Sequence, residues 1–405
     1  MLHKTAMKLE TLAVHAGDRK QADSFVPVTT PIHSAVSYFY KETETLDRVF
    51  ANEIPGQNYS RYGNPTVNAL EQQIAALEGG QWALACASGM AAMHLALLGA
   101  LTDRRKSVVA GSVLYGATIR QLMDILGPAG IETRFADPND PAAWEAAVAE
   151  QRPGCVLVET IANPMLRVAP IDRVVEIAHR HQALVVVDST FATPLLLRPL
   201  ELGADLVVHS LSKYLAGHGD VLGGVVVTGE EFRPALQAIS RTVGSVLGPF
   251  EAYLAMRGVK TLPLRMARQC SNACRVASWL ATHPRIERVN FPGDPQHPDA
   301  AIVRRLFPPG LYGGMISFEV REAGRQEIFH FMDALKMIVP ATSLGDVHTM
   351  VLYPPMSSHR ELSAKHRQRL GIGDNFLRLS AGIEAPEDII EDLEQALNKT
   401  SLLGD

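Results

Sequence analysis

The sequence predicts an α/β fold in two domains, and three observations predict it. Across residues 66–260 short apolar runs alternate with helical patterns, the mark of a largely parallel sheet covered on both faces. After a long helical stretch the pattern changes to α+β, which places a second, smaller domain in residues 261–405. The chain of 405 residues exceeds the size at which one core stops growing, and its 47% hydrophobic content supplies two.

Residues 1–65 hold prolines, glycines and aromatics with little sustained periodicity, from Pro27 and Pro31 through Tyr38-Phe-Tyr40 to Tyr59-Ser-Arg61-Tyr62. Such a segment is expected to wrap over another surface, that of a neighbouring subunit, rather than form a domain. Next come candidate strands at Trp82–Ala85, Ser107–Ala110, Glu132–Phe135, Val156–Val158, Leu184–Val187, Leu206–His209 and Val225–Thr228. These make roughly seven strands, an ordinary number for one large domain. Helical patterns fall between them at Gly89–Leu101, Thr118–Leu126, Ala142–Glu150 and Ile171–His181. A helical stretch from Pro249 to Thr282, interrupted at Pro263, leads into the second domain. There Met315–Val320 and Phe376–Ser380 read as strands, and Gln326–Leu335 and Pro386–Lys399 as helices. No internal repeat or low-complexity tract is present.

A formal charge of −5 with scattered Lys and Arg gives no footprint for nucleic acid, so the expected partner is a small molecule. No apolar run approaches the roughly 18 residues of a membrane span, and Met1-Leu-His-Lys-Thr lacks the apolar core of a signal peptide, so a cytoplasmic location is expected. Four cysteines make no disulfide framework in a chain this long. Cys270 and Cys274 lie one helical turn apart, but no nearby His or Cys completes a metal site, and none is expected. His179-Arg-His181 closes a helix and reads as solvated charge favourable to its dipole.

Chemistry concentrates at strand ends. Lys213 ends Asp205-Leu-Val-Val-His-Ser-Leu-Ser-Lys213, behind the hydroxyls of Ser210 and Ser212, and Asp188 ends Ala183-Leu-Val-Val-Val-Asp188. A lysine for a Schiff base, hydroxyls for a phosphate and an acid for a pyridine nitrogen together suggest pyridoxal phosphate. Glu159 ends another strand, with Asn163 shortly after; ligands of open parallel sheets sit at such carboxyl ends. In Cys86-Ala-Ser-Gly-Met-Ala-Ala-Met93 the N–H groups of Gly89 and Met90 open a helix that Ser88 can cap, which suits a phosphate as well as an ordinary helix start. Tyr115 suits stacking on a ring or a place in a loop or core. Arg378, inside a strand, needs a partner: a substrate carboxylate held bidentately or an internal salt bridge.

With these residues assembled, the chain resembles the Cys/Met-metabolism, or trans-sulfuration, family of pyridoxal phosphate enzymes. The likeness rests on Tyr59-Ser-Arg-Tyr-Gly-Asn-Pro-Thr66, Ser88-Gly-Met-Ala-Ala92, Tyr115-Gly116, Glu159-Thr-Ile-Ala-Asn-Pro164, Val187-Asp188-Ser-Thr-Phe-Ala-Thr-Pro194, His209-Ser-Leu-Ser-Lys-Tyr214, Gly217-His-Gly-Asp220, Ser343-Leu-Gly345 and Arg378-Leu-Ser-Ala-Gly-Ile-Glu384. The resemblance implies the aspartate-aminotransferase fold and a homotetramer whose sites are shared between subunits. It makes Lys213 and Tyr115 the candidate catalytic residues. Lys213 would hold the cofactor and shuttle protons between Cα and Cβ, and Tyr115 would stack on the ring. Asp188 would pair with the ring nitrogen and Asn163 would lie near the cofactor hydroxyl and the substrate carboxylate. Gly89, Met90, Ser210 and Ser212 would hold the phosphate, with Tyr59 and Arg61 from the neighbour. Arg378, helped by the backbone around Ser343, would take the substrate carboxylate.

The reaction so implied is elimination or replacement at Cγ of a sulfur-containing or homoserine-derived amino acid. A C–S γ-lyase of cystathionine or methionine type leads; a cystathionine γ-synthase or O-acylhomoserine sulfhydrylase follows, and an aminotransferase or a non-catalytic cofactor-binding protein are the remaining readings. Ala117 stands where methionine γ-lyases carry a cysteine. His348 stands where members handling cystathionine often have a glutamate, while Asp346 gives the Ser-Leu-Gly-Asp spelling of methionine γ-lyases and some sulfhydrylases.

Overall fold

A computed structural model describes residues 7–19, 25–357, 360, 367 and 371–400. Its larger sheet contains β1 (Trp82–Cys86), β2 (Ser107–Gly111), β3 (Glu132–Ala136), β4 (Cys155–Glu159), β5 (Leu184–Asp188), β6 (Leu206–Ser210) and β7 (Gly224–Thr228), so all seven expected strands form, most of them one residue longer than expected. The spatial order is β1-β7-β6-β5-β4-β2-β3. Only β7 runs antiparallel to its neighbours. Five of these strands run Val, Leu, Ala or Cys almost without interruption because both faces are covered. Val156, Val158, Val185, Val187 and Val207 pack on one face against the helices Pro65–Glu78, Ile171–Arg180 and Pro249–Val259. Leu157, Val186, Val208 and Val226 pack on the other against Gly89–Ala100 and Arg233–Val243. Burying each such side chain stabilises by about 1.5–3 kcal/mol, so a polar residue is tolerated chiefly at strand ends.

A second sheet follows in the order β10-β11-β12-β9-β8, with β8 Ile286–Asn290, β9 Met315–Val320, β10 Val339–Pro340, β11 Met350–Leu352 and β12 Phe376–Ser380. Its own core joins Phe318, Phe331, Leu377, Leu379, Ile389 and Leu393. The helix Leu262–Thr282 links the two sheets. Met266 and Cys270 enter the first core, and Ala273, Val276 and Leu280 enter the second.

Several expectations need correction. The expected Thr118–Leu126 helix is an α-helix over Gly116–Arg120 that widens into π-type turns over Gln121–Leu126. The long helical stretch breaks at Lys260–Thr261, and Pro263 sits in the first turn of the following helix, where it gives up no intrahelical hydrogen bond. The early segment contains helices at Leu9–His15 and Thr43–Phe50, too short to show a period. His179 is exposed, as expected, and lies 3.0 Å from Asp205, whereas His181 is half-buried and lies 3.0 Å from Glu145. Cys270 is buried within its helix and Cys274 half-buried. Among the described residues no helix is long and apolar enough to cross a membrane.

Candidate active site

The registers of the large sheet bring the polar strand ends onto one edge. Glu159 pairs with Asp188, Asp188 with Val208, Ser210 with Gly224, and Gly224 with Cys86. Neighbouring strands lie about 4.8 Å apart, so these ends form a continuous rim. Just beyond it, Leu211–Leu215 makes a π-type turn in which Lys213 leaves helical geometry (φ −101°, ψ −136°). The second sheet completes the site. Lys213 Nζ donates to Ser343 Oγ at 3.2 Å, Arg378 Nη2 to the Ser343 carbonyl at 3.1 Å, and Arg378 Nη1 to Asn163 Oδ1 at 2.8 Å. Lys213, Ser343, Arg378 and Asn163 are thereby joined across both sheets.

Arg378 decides between the two readings of its charge. It is only 3% exposed, yet among the described residues no carboxylate pairs with it, and its Nε has no partner. Among the described residues the internal salt bridge is therefore absent. A buried guanidinium on a carboxamide and a carbonyl retains its full charge for an incoming anion. Burial pushes its pKa down to about 10. Lys213 is lowered as well, by burial first and then by Arg378, which raises the fraction of free amine available as nucleophile and base.

The acids on the rim behave oppositely. Burial raises the pKa of Asp188, against the opposing effect of Thr190 and of His209. Thr190 donates its N–H to Asp188 Oδ1 at 2.9 Å, and its hydroxyl takes the Ser210 N–H at 3.0 Å. Glu159 is raised well above the usual carboxylate range, by burial first and then by Asp188, while the N–H of Tyr115 reaches its Oε1 at 2.6 Å.

The start of Gly89–Ala100 could hold a phosphate. Ser88 Oγ takes the N–H of Ala91 and its carbonyl takes that of Ala92. Among the described residues no protein acceptor takes the N–H of Gly89 or Met90. Gly89 approaches Ser210 so closely that an added Cβ would stand 2.9 Å from Ser210 Cβ and 3.1 Å from its Oγ. Free N–H groups, an adjoining hydroxyl, a lysine amine and a strand-end acid fit the phosphate, aldehyde and ring nitrogen of pyridoxal phosphate. Ser212 belongs to the same turn, but its hydroxyl takes the N–H of Gly223 at 3.0 Å.

Other candidates lie apart. Tyr59 and Arg61 stack on each other, 5.5 Å from guanidinium carbon to ring centre, and Arg61 donates to the Arg241 carbonyl. Their contacts within this chain do not reach Gly89, Ser210 or Lys213. Tyr115 is 44% exposed, a loop tyrosine opening Gly116–Arg120, and Ala117 is half-buried in that helix. The His348 ring is 66% exposed and its Nδ1 lies 2.9 Å from Asp346 Oδ1, which ties together the two residues that distinguish substrates in the resemblance. Sequence reasoning missed Thr190, although Asp-x-Thr is the pattern of an Asx turn. It also missed the fully buried pair of Glu78 Oε1 and His209 Nε2, 2.5 Å apart, which joins residues too distant in sequence to be matched without the fold.

The family described as Cys/Met metabolism PLP-dependent enzymes matches residues 10–398. The chain is similar to an L-methionine gamma-lyase of Pseudomonas putida, with 40% identity over 396 residues covering 96% of this chain and 97% of that protein. It is also similar to an O-succinylhomoserine sulfhydrylase of Pseudomonas aeruginosa, with 38% identity covering 96% and 94%. A crystal structure of a cystathionine gamma synthase from Xanthomonas oryzae pv. oryzae, in complex with aminoacrylate and cysteine, superposes with a TM-score of 0.90 at 35% identity, covering 98% of this chain and all (100%) of that one.

Proposed function

Because the chain belongs to the Cys/Met-metabolism family of pyridoxal phosphate-dependent enzymes, we propose that it catalyses γ-elimination or γ-replacement on a sulfur-containing or homoserine-derived L-amino acid. Its fold is that of the pyridoxal phosphate enzymes it superposes on, and its cofactor is pyridoxal phosphate. The observation that carries the reading is the junction at Ser343, where an amine of lowered basicity and a buried arginine without an acid meet. Bound pyridoxal phosphate supplies an electron sink that acidifies the substrate's Cα and Cβ protons. Arg378 and Asn163 hold the substrate carboxylate, and Ser343 orients both Arg378 and Lys213. Lys213 would anchor the cofactor covalently; once the substrate's amine has displaced it there, the freed amine would take the Cα proton and then a Cβ proton, and the γ-substituent would leave with its bonding pair. Gly89, Met90, Ser210 and Ser212 hold the phosphate, Asp188 the ring nitrogen, and Tyr115 the ring face.

The leading assignment is a C–S γ-lyase of methionine or cystathionine type. γ-Replacement on an O-acylhomoserine is the second reading, favoured by the likeness to the sulfhydrylase. We further assign a large cofactor domain over 66–260 and a carboxylate-binding domain over 261–405. The segment 1–65 carries Tyr59 and Arg61 to a neighbouring subunit's phosphate in a homotetramer. The strong exposure of Phe25, Val28 and Phe39 in that segment supports coverage by a second copy. A cytoplasmic location suits four free cysteines, three of them buried, which stay reduced there.

A panel of L-methionine, L-homocysteine, L-cystathionine, and O-acetyl- or O-succinylhomoserine with sulfide, methanethiol or cysteine tests the assignment. Measuring 2-oxobutyrate and thioether together should show a lyase on the sulfur substrates; thioether dominating from an acylhomoserine selects the second reading. Inertness toward every γ-substituted member, with turnover of a 2-oxo acid instead, would make the protein an aminotransferase.

A further inference from the structure

Glu159 has no part in the chemistry above, yet it is buried on the rim beside Asp188. It ends β4 directly across from Asp188 at the end of β5, and its Oε1 accepts the backbone N–H of Tyr115 at 2.6 Å. Two elements meet at this residue: the loop after β2, through the Tyr115 N–H on its carboxyl group, and β5, whose Asp188 is its register partner. Two buried carboxylates on adjacent strands do not both ionise, because each charge raises the cost of the other. The better-supported anion is Asp188, which takes the Thr190 N–H and lies near His209, itself paired with Glu78.

We propose that Glu159 is a positioning residue for the cofactor ring: in its uncharged, proton-bearing form it fixes Tyr115 by accepting that residue's backbone N–H, and leaves the negative charge of the pair on Asp188. Burial and the neighbouring charge of Asp188 both favour the protonated form. The carbonyl oxygen of a neutral acid accepts the Tyr115 N–H as a carboxylate oxygen does, so holding Tyr115 needs no charge on Glu159. The inference rests on the cofactor and is independent of which amino acid the enzyme consumes.

Glu159→Gln keeps an acceptor of the same shape and cannot ionise, whereas Glu159→Ala removes the acceptor. The readouts are the pyridoxal phosphate dissociation constant from titration of apoprotein and the visible circular dichroism of the bound cofactor, which reports how the ring is held. Glu159→Gln should stay within about threefold of the parent in affinity and keep its dichroic band, less than the effect of a lost buried hydrogen bond. Glu159→Ala should weaken affinity by about tenfold and diminish the band, since the Tyr115 N–H loses its partner. An equal loss in both variants would show that an ionised Glu159 is required and would overturn the proposal. So would a Glu159→Ala protein with unchanged affinity and band. If Glu159→Ala does not fold, Glu159→Asp serves, because it draws the carboxyl back from Tyr115: a weakened band supports the assignment and an unchanged one overturns it.

Discussion

At the scale of single residues, the site is built from charges that the fold leaves without the usual partners. Arg378 lies between a carboxamide and a carbonyl, and Lys213 rests on the Ser343 hydroxyl beside it. Two consequences follow for variants. Lys213→Ala should still bind pyridoxal phosphate, because the phosphate and ring contacts survive, but the absorbance of the covalently linked cofactor should vanish. Turnover should fall by at least the roughly 10²–10⁴ of a lost general base. A retained covalent absorbance would move the anchor to another lysine. Arg378→Lys replaces a planar fork with a point charge and should raise KM by about tenfold or more while kcat changes less. A KM close to the parent's would make this arginine structural. Most of these residues were legible beforehand because a lysine, an acid or an arginine in an apolar strand context violates local expectation. Thr190 was passed over despite its local Asp-x-Thr signal, and the Glu78–His209 pair was not legible, since a His in a strand is ordinary until the register brings it beside Asp188.

At the scale of elements, continuous apolar runs made the large sheet legible, since strands buried on both faces leave little freedom of sequence. The second sheet was only half legible. Ile286–Asn290 carries Glu287 and Arg288 in an exposed edge strand, and Val339–Pro340 and Met350–Leu352 are too short for any period; pairing of β8 with β9, of β11 with β12 and of β10 with β11 makes them strands. The helix Arg233–Val243 was missed although its sides differ in polarity; its buried positions are Leu236 and Ser240, so little of its apolar surface marks a core face. The contact between the Gly89–Ala100 helix and β6 yields a prediction in which two effects oppose. Gly89→Ala gains up to about 1 kcal/mol of helix propensity, but its Cβ would stand 2.9 Å from Ser210 Cβ, and overpacking costs about 1–3 kcal/mol. Overpacking should win. The variant should melt slightly lower and, because Ser210 is displaced from the phosphate, bind pyridoxal phosphate at least about tenfold more weakly in an equilibrium titration. Unchanged cofactor affinity would move the phosphate away from this junction.

At the scale of the whole molecule, the site needs both sheets, and by our reading a second subunit. Ser343 and Arg378 come from the smaller sheet's side and Lys213 from the larger, with the Leu262–Thr282 helix rooted in both cores. If Tyr59 and Arg61 serve the neighbour's phosphate, Arg61→Ala and Lys213→Ala are each inactive alone, yet a hybrid dimer contains one intact site. Mixing them under conditions where subunits exchange should recover activity; no recovery despite demonstrated exchange would place both residues in one subunit's site. Proton transfer at Cβ and loss of the γ-substituent separate this chemistry from transamination and from β-elimination. The most direct measurement is therefore the turnover of L-methionine, or another γ-substituted substrate the panel selects, in deuterium oxide, followed by proton magnetic resonance of the products. Elimination at Cγ replaces the C–S or C–O bond with a C–D bond, so 2-oxobutyrate should form with one deuterium in its methyl group. A substrate that exchanges only its Cα hydrogen, keeps its γ-substituent and is converted to the corresponding 2-oxo acid would contradict a γ-specific enzyme.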